Sequence, residues 1–319
     1  MKQFNFSIVS LATLSVALVT GCAGTGARLD RTQQKIHAAA EAAAERLDQK
    51  FSHDRPTPTG QVEAASASPF RLAIDTAVFD RATGTEADLA LDLDVSLSLP
   101  NIERRLKLYA TTDELAEPPD VDSADRRRLR VGARFAFLEH VDFDLGVRAE
   151  IWPVAFAALQ WRRFHTHNNW RLTPFVKTYL ESEAGFGLAS GLTLDYLVGP
   201  WLLRSATYGD WETERDAALW RQTFVVAHVR DTLQDTRPSS PARLRDIGHG
   251  TGLRIGLGSE DTAAASIDTY SATLFFRRHL HGQWLYWNFG PEVRWERARD
   301  WNPDYGFRLG LDILFRESN

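Results

Sequence analysis

The stretch that decides the fold is DLALDLDVSLSL, residues 88–99. Leucine or valine occupies every second position from Leu89 to Leu99, and aspartate, serine or alanine occupies the positions between them. A strand places alternate side chains on opposite faces, whereas a helix would spread these leucines over its whole circumference. The pattern therefore predicts a β-strand with one apolar face and one charged face.

The same alternation recurs from residue 70 to the end of the chain, as in RLRVGARFAF (128–137) and YGFRLGLDILF (305–315). Soluble strands average about 5–6 residues, whereas a tilted membrane-spanning strand needs about 9–11, and most of the predicted strands reach that length. The sequence predicts an all-β fold, an antiparallel transmembrane β-barrel of about fourteen strands, with twelve as the alternative count. The predicted strands lie near 70–79, 88–99, 103–112, 127–138, 141–152, 155–164, 170–181, 186–197, 201–210, 218–230, 250–258, 266–279, 284–296 and 305–315.

The connections between the predicted strands differ in length on the two sides of the barrel. If strand direction alternates, short turns share one side, and most loops on the other side are longer and charged. Outer-membrane barrels have short periplasmic turns and longer external loops, so both ends of the barrel are expected in the periplasm. The segment 231–250 is long but belongs to the short side, so it is either an insertion or a sign of a miscounted strand. The short turns are 100–103, 139–140, 165–169, 198–200 and 279–283, and the longer loops include 113–127, 210–217 and 297–304.

Tryptophan is concentrated at the ends of the predicted strands. All ten tryptophans lie at or after Trp152. Barrels that span a membrane carry aromatic side chains at both lipid–water interfaces. The expected aromatic girdle is formed by Trp152, Trp170, Trp201, Trp211, Trp220, Trp284, Trp295 and Trp301.

The charged face of the strands predicts the lining of the barrel lumen. Positive and negative charges are mixed on this face, which argues against strong ion selectivity. The charges indicate either a water-filled channel or a lumen crosslinked by arginine–carboxylate pairs. We favour the narrow or partly occluded lumen over an open porin. A soluble sandwich or ligand-binding barrel would show the same alternation and stays an alternative. The charges expected to face the lumen are Asp92, Asp94, Arg105, Lys107, Arg128, Arg130, Arg134, Asp142, Asp144, Arg148, Glu150, Lys177, Arg254, Glu292, Arg294, Arg308 and Asp312.

The amino terminus carries a targeting signal. Residues 1–21 combine a positive charge at Lys2, a short apolar core and small residues before the single cysteine, Cys22, which is typical of a secretory signal peptide. The residues Val19 to Cys22 resemble a bacterial lipobox. That resemblance implies cleavage before Cys22, attachment of diacylglycerol to its thiol and acylation of the new amino terminus by a fatty acid such as palmitate. Because Ala23 rather than aspartate follows, the resemblance implies delivery to the outer membrane of a Gram-negative envelope.

Composition divides the chain after the signal peptide into four segments. Residues 22–34 are expected to be a polar tether, and 35–51 an Ala-rich helix that acts as a spacer or as a coiled-coil or plug segment. Pro56 and Pro58 mark 52–69 as a linker, and 70–319 form the barrel.

Composition and motifs leave little room for other functions. The net charge of −5 and a pI near 6.0 predict no nucleic-acid partner, and one cysteine allows no internal disulfide. We find no hydrolase, phosphate-loop or zinc signature and therefore predict no catalytic residue, metal or cofactor. Two His-x-His pairs, at His165 and at His279, are expected to be solvated turns. An enzyme stays possible but has no supporting motif.

The segments 274–315 and 104–114 (RRLKLYATTDE) resemble a group of proteobacterial outer-membrane β-barrel proteins of uncharacterised function. The resemblance extends loosely over about 70–315 and brings no catalytic residues with it. The sequence as a whole predicts membrane lipid as a partner, and the leading hypothesis is a small-solute pore or a structural role in the envelope. A small solute or a periplasmic protein stays open as a further partner. Two alternative functions also stay open, a periplasm-facing lipoprotein and an outer-membrane lipid-modifying enzyme.

Overall fold

In the described residues the computed structural model has one α-helix, one short 3-10 helix at Arg297–Arg299 and sixteen strands. The described residues are 23–51, 66–67, 70–81, 84–98, 106–112, 129–150, 152–214, 218–232, 247–259, 267–282 and 284–315. Helix α1 spans Ala23–Phe51. The strands are β1 (Ser66–Ala67), β2 (Phe70–Arg81), β3 (Gly84–Ser98), β4 (Leu106–Thr111), β5 (Arg130–Leu138), β6 (Val141–Arg148), β7 (Val154–Arg162), β8 (His165–His167), β9 (Trp170–Glu181), β10 (Gly185–Val198), β11 (Trp201–Glu212), β12 (Leu219–Thr232), β13 (Ile247–Ser259), β14 (Thr269–His281), β15 (Leu285–Glu296) and β16 (Pro303–Phe315).

Fourteen of these strands close into a ring. Each strand from β2 to β16 pairs antiparallel with its neighbour in the chain, apart from the three-residue strand β8, which pairs with one edge of β9. The first and last of these strands, β2 and β16, also pair with each other from Phe70↔Phe315 to Asp80↔Tyr305, and this pairing closes the barrel. The predicted fourteen-strand antiparallel barrel is therefore confirmed. The sandwich alternative is wrong, because a closed ring leaves no second sheet to pack against it.

The ring has two distinct ends. The terminus end is where β2 begins at Phe70 and β16 stops at Phe315, and it also carries the two-residue turns 139–140 and 199–200. The loop end carries the connections 149–153, 213–218 and 297–302 and the three-residue turn 182–184, and the terminus end also carries the longer connection 163–169. The segment 231–250 joins two consecutive, directly paired strands, β12 and β13, so no strand was miscounted there. Its residues 233–246 lie outside the described part of the chain.

The two faces of the ring differ as the alternation predicts, with the apolar set turned outward. Large apolar side chains are exposed on twelve of the fourteen ring strands, including Leu91, Leu145, Leu188, Phe224 and Leu253. The opposite face carries most of the charges and is the more buried of the two. In a soluble ligand-binding barrel the apolar face would lie inside.

Helix α1 begins earlier than the sequence predicts. Residues 23–34, predicted as a tether, are helical, so the expected start at residue 35 is wrong. Arginine, leucine and glutamine in 27–34 are good helix formers, and this part of the helix is also held by the barrel. Asp30 accepts a hydrogen bond from the indole Nε1 of Trp284 at 2.8 Å and lies 3.1 Å from Nε2 of His281. The helix therefore docks its polar side on the β14–β15 turn at the terminus end.

Several sequence predictions fall on residues that the structure does not describe. These are the signal peptide 1–21, Cys22 and most of the linker 52–69, in which only β1 is described and pairs with Leu97 and Ser98 of β3. Among the described residues, no helix has both the length and the apolar character needed to cross a membrane.

Candidate functional site: the inner wall of the barrel

Aromatic rings lie directly on glycines along the inner wall. In six places an inward aromatic residue is the cross-strand partner of a glycine, and a Cβ on that glycine would come within 3 Å of the ring. Glycine has no side chain, so the ring can lie against the wall instead of projecting into the lumen. The pairs are Tyr109–Gly132, Phe156–Gly146, Phe175–Gly191, Tyr179–Gly187, Phe275–Gly252 and Phe79–Gly306.

Basic side chains cover most of these rings. The distance from the cation to the ring centre lies between 4.7 and 5.8 Å, which is within cation–π range. The wall thus has three layers: glycine backbone, aromatic ring and cationic group. The pairs are Arg130 over Phe156, Arg134 over Tyr109, Arg162 over Phe175, Lys177 over Tyr179, and both Arg81 and Arg294 over Phe79.

The most deeply buried charge cluster joins β2, β14 and β16. Asp312 is fully buried, pairs with Arg71 and accepts a hydrogen bond from Nη2 of Arg277 at 2.5 Å. Nη1 of Arg277 donates to the amide oxygen of Asn288 at 2.7 Å, and its guanidinium lies 4.9 Å from the ring centre of Tyr286. One carboxylate therefore holds two arginines from strands on either side of it.

Three further carboxylates bind arginines in the part of the chain from β5 to β9. Nε and Nη2 of Arg134 donate to Asp144 at 2.7 and 2.9 Å, a bidentate geometry that is typical of strong arginine–carboxylate pairs. Nη1 of Arg148 donates to Glu181 at 2.6 Å, and its Nε donates to Glu150 at 2.6 Å.

Asp195 on β10 lies between arginines of both adjacent strands. Arg204 of β11 donates to it through Nε at 2.6 Å and Nη2 at 3.0 Å. Arg171 of β9 makes a single, longer bond of 3.3 Å to the same carboxylate. Among the described residues, the Nε atom of Arg171 is buried without a hydrogen-bond partner.

On β15, Glu292 is shared in the same way. Arg308 donates to it from β16 at 2.9 Å, and Arg294 from its own strand at 3.2 Å. Near the loop end, Asp304 accepts a hydrogen bond from Arg299 at 2.7 Å.

These ion pairs run along the wall. Each joins strands that are at most three positions apart in the ring, and the longest step is Arg130 on β5 to Glu181 on β9, at 3.7 Å. They therefore brace the wall itself. One sector of the wall is apolar, because the buried side chains of Leu202, Val225, Ala227 and Ile247 pack together across β11–β13.

The structure places the charges predicted for the lumen as follows. Arg105 and Arg128 lie outside the described residues. Arg130, Asp144, Lys177, Glu292 and Asp312 are buried on the inward face. The half-buried members are Asp92, Asp94, Lys107, Arg134, Asp142, Arg148, Arg254, Arg294 and Arg308 on the inward face, and Glu150 just beyond β6.

The tryptophans of the predicted girdle fall at two heights. Trp170, Trp201 and Trp284 lie at the terminus end. Trp152, Trp211, Trp220, Trp295 and Trp301 lie at the loop end. Several of them contact aromatic neighbours on the outer face, such as Trp170 with Tyr196 at 4.3 Å and Trp301 with Tyr270 at 5.2 Å between ring centres.

Sequence reasoning missed three buried arginines, Arg71, Arg204 and Arg277. The alternation of their strands places them on the inward face, and that signal was available. The alternation did not indicate that these arginines would be buried, each bound to a carboxylate that it shares with a second arginine. The aromatic–glycine pairs were also missed, because they depend on the register between strands.

The two histidine turns differ in their surroundings. His165 and His167 are exposed on β8. The rings of His279 and Tyr286 are in edge contact, with 4.6 Å between their centres, and His281 contacts Asp30. Within the described ranges, no group of three histidine, cysteine, aspartate or glutamate side chains is arranged to hold a metal ion.

Comparisons with known proteins find similarity to solved structures. No protein-family model matches this sequence, and no curated protein matches it. The structure of Pseudomonas aeruginosa OccK2 (OpdF) aligns at 9% identity and a TM-score of 0.47 over 81% of this chain and 99% of that chain. A BenF-like porin from Pseudomonas fluorescens Pf-5 aligns at 9% identity and 0.46 over 80% and 99%. Pseudomonas putida OprB aligns at 9% identity and 0.44 over 78% and 92%, and we transfer no residue or solute from any of them.

Proposed function

We propose that this protein is an integral outer-membrane β-barrel whose charge-lined lumen lets small polar solutes pass. The observation that carries the proposal is the inverted distribution of side chains. Leu89, Leu145 and Leu188 are exposed on the outside of the ring, while Asp144, Arg204 and Asp312 are buried inside it.

An apolar belt around the whole circumference is unfavourable in water. Exposed apolar patches on soluble proteins rarely exceed a few hundred Å², and larger ones mark a protein or membrane contact. In a bilayer the same belt is favourable, because strands that span a membrane show apolar side chains to lipid and polar ones to the lumen. A closed ring also pairs the backbone groups of every strand on both sides, as the hydrocarbon core requires.

The two ends of the ring support an orientation for the barrel. Short turns are typical of the periplasmic side and longer loops of the outside. The terminus end, with its turns 139–140 and 199–200, is therefore assigned to the periplasm. Both barrel termini then lie on the same side as the periplasmic leaflet.

The anchor at Cys22 belongs to the same proposal. Residues 1–21 act as the signal peptide, and lipidated Cys22 holds the amino terminus in the periplasmic leaflet. Several acyl chains, each contributing about 0.8 kcal/mol per buried CH2, make a durable anchor. Helix α1, which begins at Ala23, is then held beside the terminus end of the barrel by both the lipid and Asp30. Labelling with radioactive palmitate tests this step, and a Cys22→Ala variant that still incorporates the label contradicts it.

A pair of membrane experiments separates the barrel from a lipid-tethered soluble protein. The Cys22→Ala variant should stay in the membrane pellet after carbonate extraction, and it should migrate faster on a denaturing gel before boiling than after it. A variant that is released as a soluble monomer contradicts the membrane-spanning barrel.

Single-channel recording then separates a pore from a structural envelope protein. The ion pairs of the described residues join nearby strands along the wall, which favours a lumen that small solutes can enter. We expect discrete conductance steps from the purified protein in a planar bilayer. Correctly folded, heat-modifiable protein that gives no current would instead support an occluded barrel with a structural role.

A further inference from the structure

Two ion pairs of the inner wall near the terminus end are layered, with the arginine as the outer layer. In the pair Arg134–Asp144 the arginine side chain is 22% exposed and the aspartate 2%. In Arg171–Asp195 the values are 23% and 2%. The carboxylate therefore lies against the wall, and the guanidinium covers it on the lumen side.

This layering changes the charge that a solute meets near the terminus end. Four cations within five successive ring strands form what we term the cationic sector: Lys107 on β4, Arg134 on β5, Arg162 on β7 and Arg171 on β9. All four are half-buried on the inward face. The nearby carboxylates Asp144 and Asp195 are buried beneath arginines, which leaves Asp142 as the half-exposed acid of these strands within the described residues.

Two cations of the sector face each other directly. Lys107 is the cross-strand partner of Arg134, and side chains at such positions lie about 4.5–5.5 Å apart at Cβ. Like charges placed directly opposite each other destabilise a sheet. Asp144, on the other side of Arg134, offsets part of that repulsion, and an anion in the lumen would offset more of it.

Arg171 is the least satisfied arginine of the sector. Its partner Asp195 already accepts two short bonds from Arg204, so Arg171 has a single bond of 3.3 Å. Its Nε is buried and has no hydrogen-bond partner among the described residues. The Arg171 side chain is nevertheless 23% exposed on the inward face, so a solute in the lumen can reach it. A planar guanidinium with unused donors matches the geometry of a carboxylate or phosphate group.

We infer that the cationic sector is an oxyanion-binding subsite at the terminus-end mouth of the lumen, centred on Arg171, and that it selects small anionic solutes. The inference rests on the proposed pore and names its solute class. It differs from the expectation that mixed signs argue against strong ion selectivity, because in this sector Asp144 and Asp195 lie deeper in the wall than Arg134 and Arg171.

The first test is ion selectivity in a planar bilayer across a tenfold KCl gradient. The wild-type protein should pass chloride in preference to potassium, and Arg171→Gln should lower the permeability ratio by roughly twofold, since local counter-ion concentration follows the local field. Arg278→Gln is the matched control. It removes the same charge at the same end of the barrel, but from an exposed side chain on the outer face. A cation-selective wild type, or an equal loss in both variants, overturns the inference.

A second measurement works without any current. Phenylglyoxal modification of Arg171 is followed by peptide mass spectrometry on the heat-modifiable protein in detergent, with inorganic phosphate or acetate added. Protection of Arg171 by either anion supports the subsite even if no conductance is found, in which case only the pore is wrong. Phosphate protection without acetate protection would identify a phosphate-bearing solute, and the reverse a carboxylate. Absence of protection by both anions overturns the subsite.

Discussion

The phenol ring of Tyr179 lies on Gly187, its direct partner across β9 and β10, where a Cβ would come within 2.2 Å of the ring. The same ring donates from its hydroxyl to Asp210 at 2.7 Å and to Glu212 at 2.9 Å. The glycine therefore sets the position of a side chain that bonds two carboxylates on β11.

Gly187→Ala should destabilise the barrel. The new methyl group must displace the ring of Tyr179, and overpacking of this kind costs about 1–3 kcal/mol. Unfolding by urea in detergent micelles, followed by the heat-modifiable band, measures the change in the free energy of unfolding. Gly209→Ala is the control, because a Cβ there meets only one atom, at 3.9 Å. Equal effects of the two substitutions would show that the ring does not depend on its glycine.

Asp312→Asn should destabilise the barrel more than Gly187→Ala does. The side chain is fully buried between Arg71 and Arg277, and its loss leaves two buried cations without their carboxylate. Breaking a buried pair from one side costs about 3–5 kcal/mol. The exposed pair Arg148–Glu183 gives the comparison: Glu183 is 63% exposed, and Glu183→Gln should change stability by less than about 1 kcal/mol. The prediction concerns the free energy of unfolding, and a loss under about 1 kcal/mol for Asp312→Asn contradicts it.

Arginine substitutions on the outer face distinguish a lipid-facing belt from a soluble surface. Leu192 and Val198 lie on β10, both point outward and both are 44% exposed, but Leu192 is near the middle of the strand and Val198 is at its end. In a bilayer Leu192→Arg should cost about 2–4 kcal/mol and Val198→Arg about 0–1 kcal/mol. Folding into lipid vesicles under a urea gradient measures both values. If neither substitution changes the free energy of folding, this face lies in water.

Asp30→Asn should loosen helix α1 from the barrel without unfolding the barrel. The substitution weakens the contacts of Asp30 with Trp284 and His281, which are partly exposed and contribute about 1 kcal/mol together. Trypsin cleavage at Arg31 should therefore become roughly fivefold faster, since local opening follows that free energy. Glu45→Gln, on the exposed surface of the same helix, should leave the cleavage rate at Arg31 unchanged. An unchanged rate in Asp30→Asn means that other contacts hold the helix.

Much of the barrel could be predicted from local pattern. Period-two alternation over 88–99 and similar stretches identified the fourteen ring strands and the face on which each charge lies, because side-chain direction along a strand depends on position alone. Strand bounds differ from the prediction by a few residues. The start of α1 was wrong by twelve residues, since the contacts of Asp30 with the β14–β15 turn come from 250 residues further along the chain.

The sequence by itself determined that one face of each strand is apolar and the other charged. Only the tertiary structure decided how those charges are arranged in depth. Cross-strand register brings Tyr179 onto Gly187 and places Asp195 between Arg171 and Arg204. Register depends on pairing across the whole ring, which no local pattern contains. For the same reason the mixed signs along the strands did not reveal that Asp144 and Asp195 lie beneath Arg134 and Arg171.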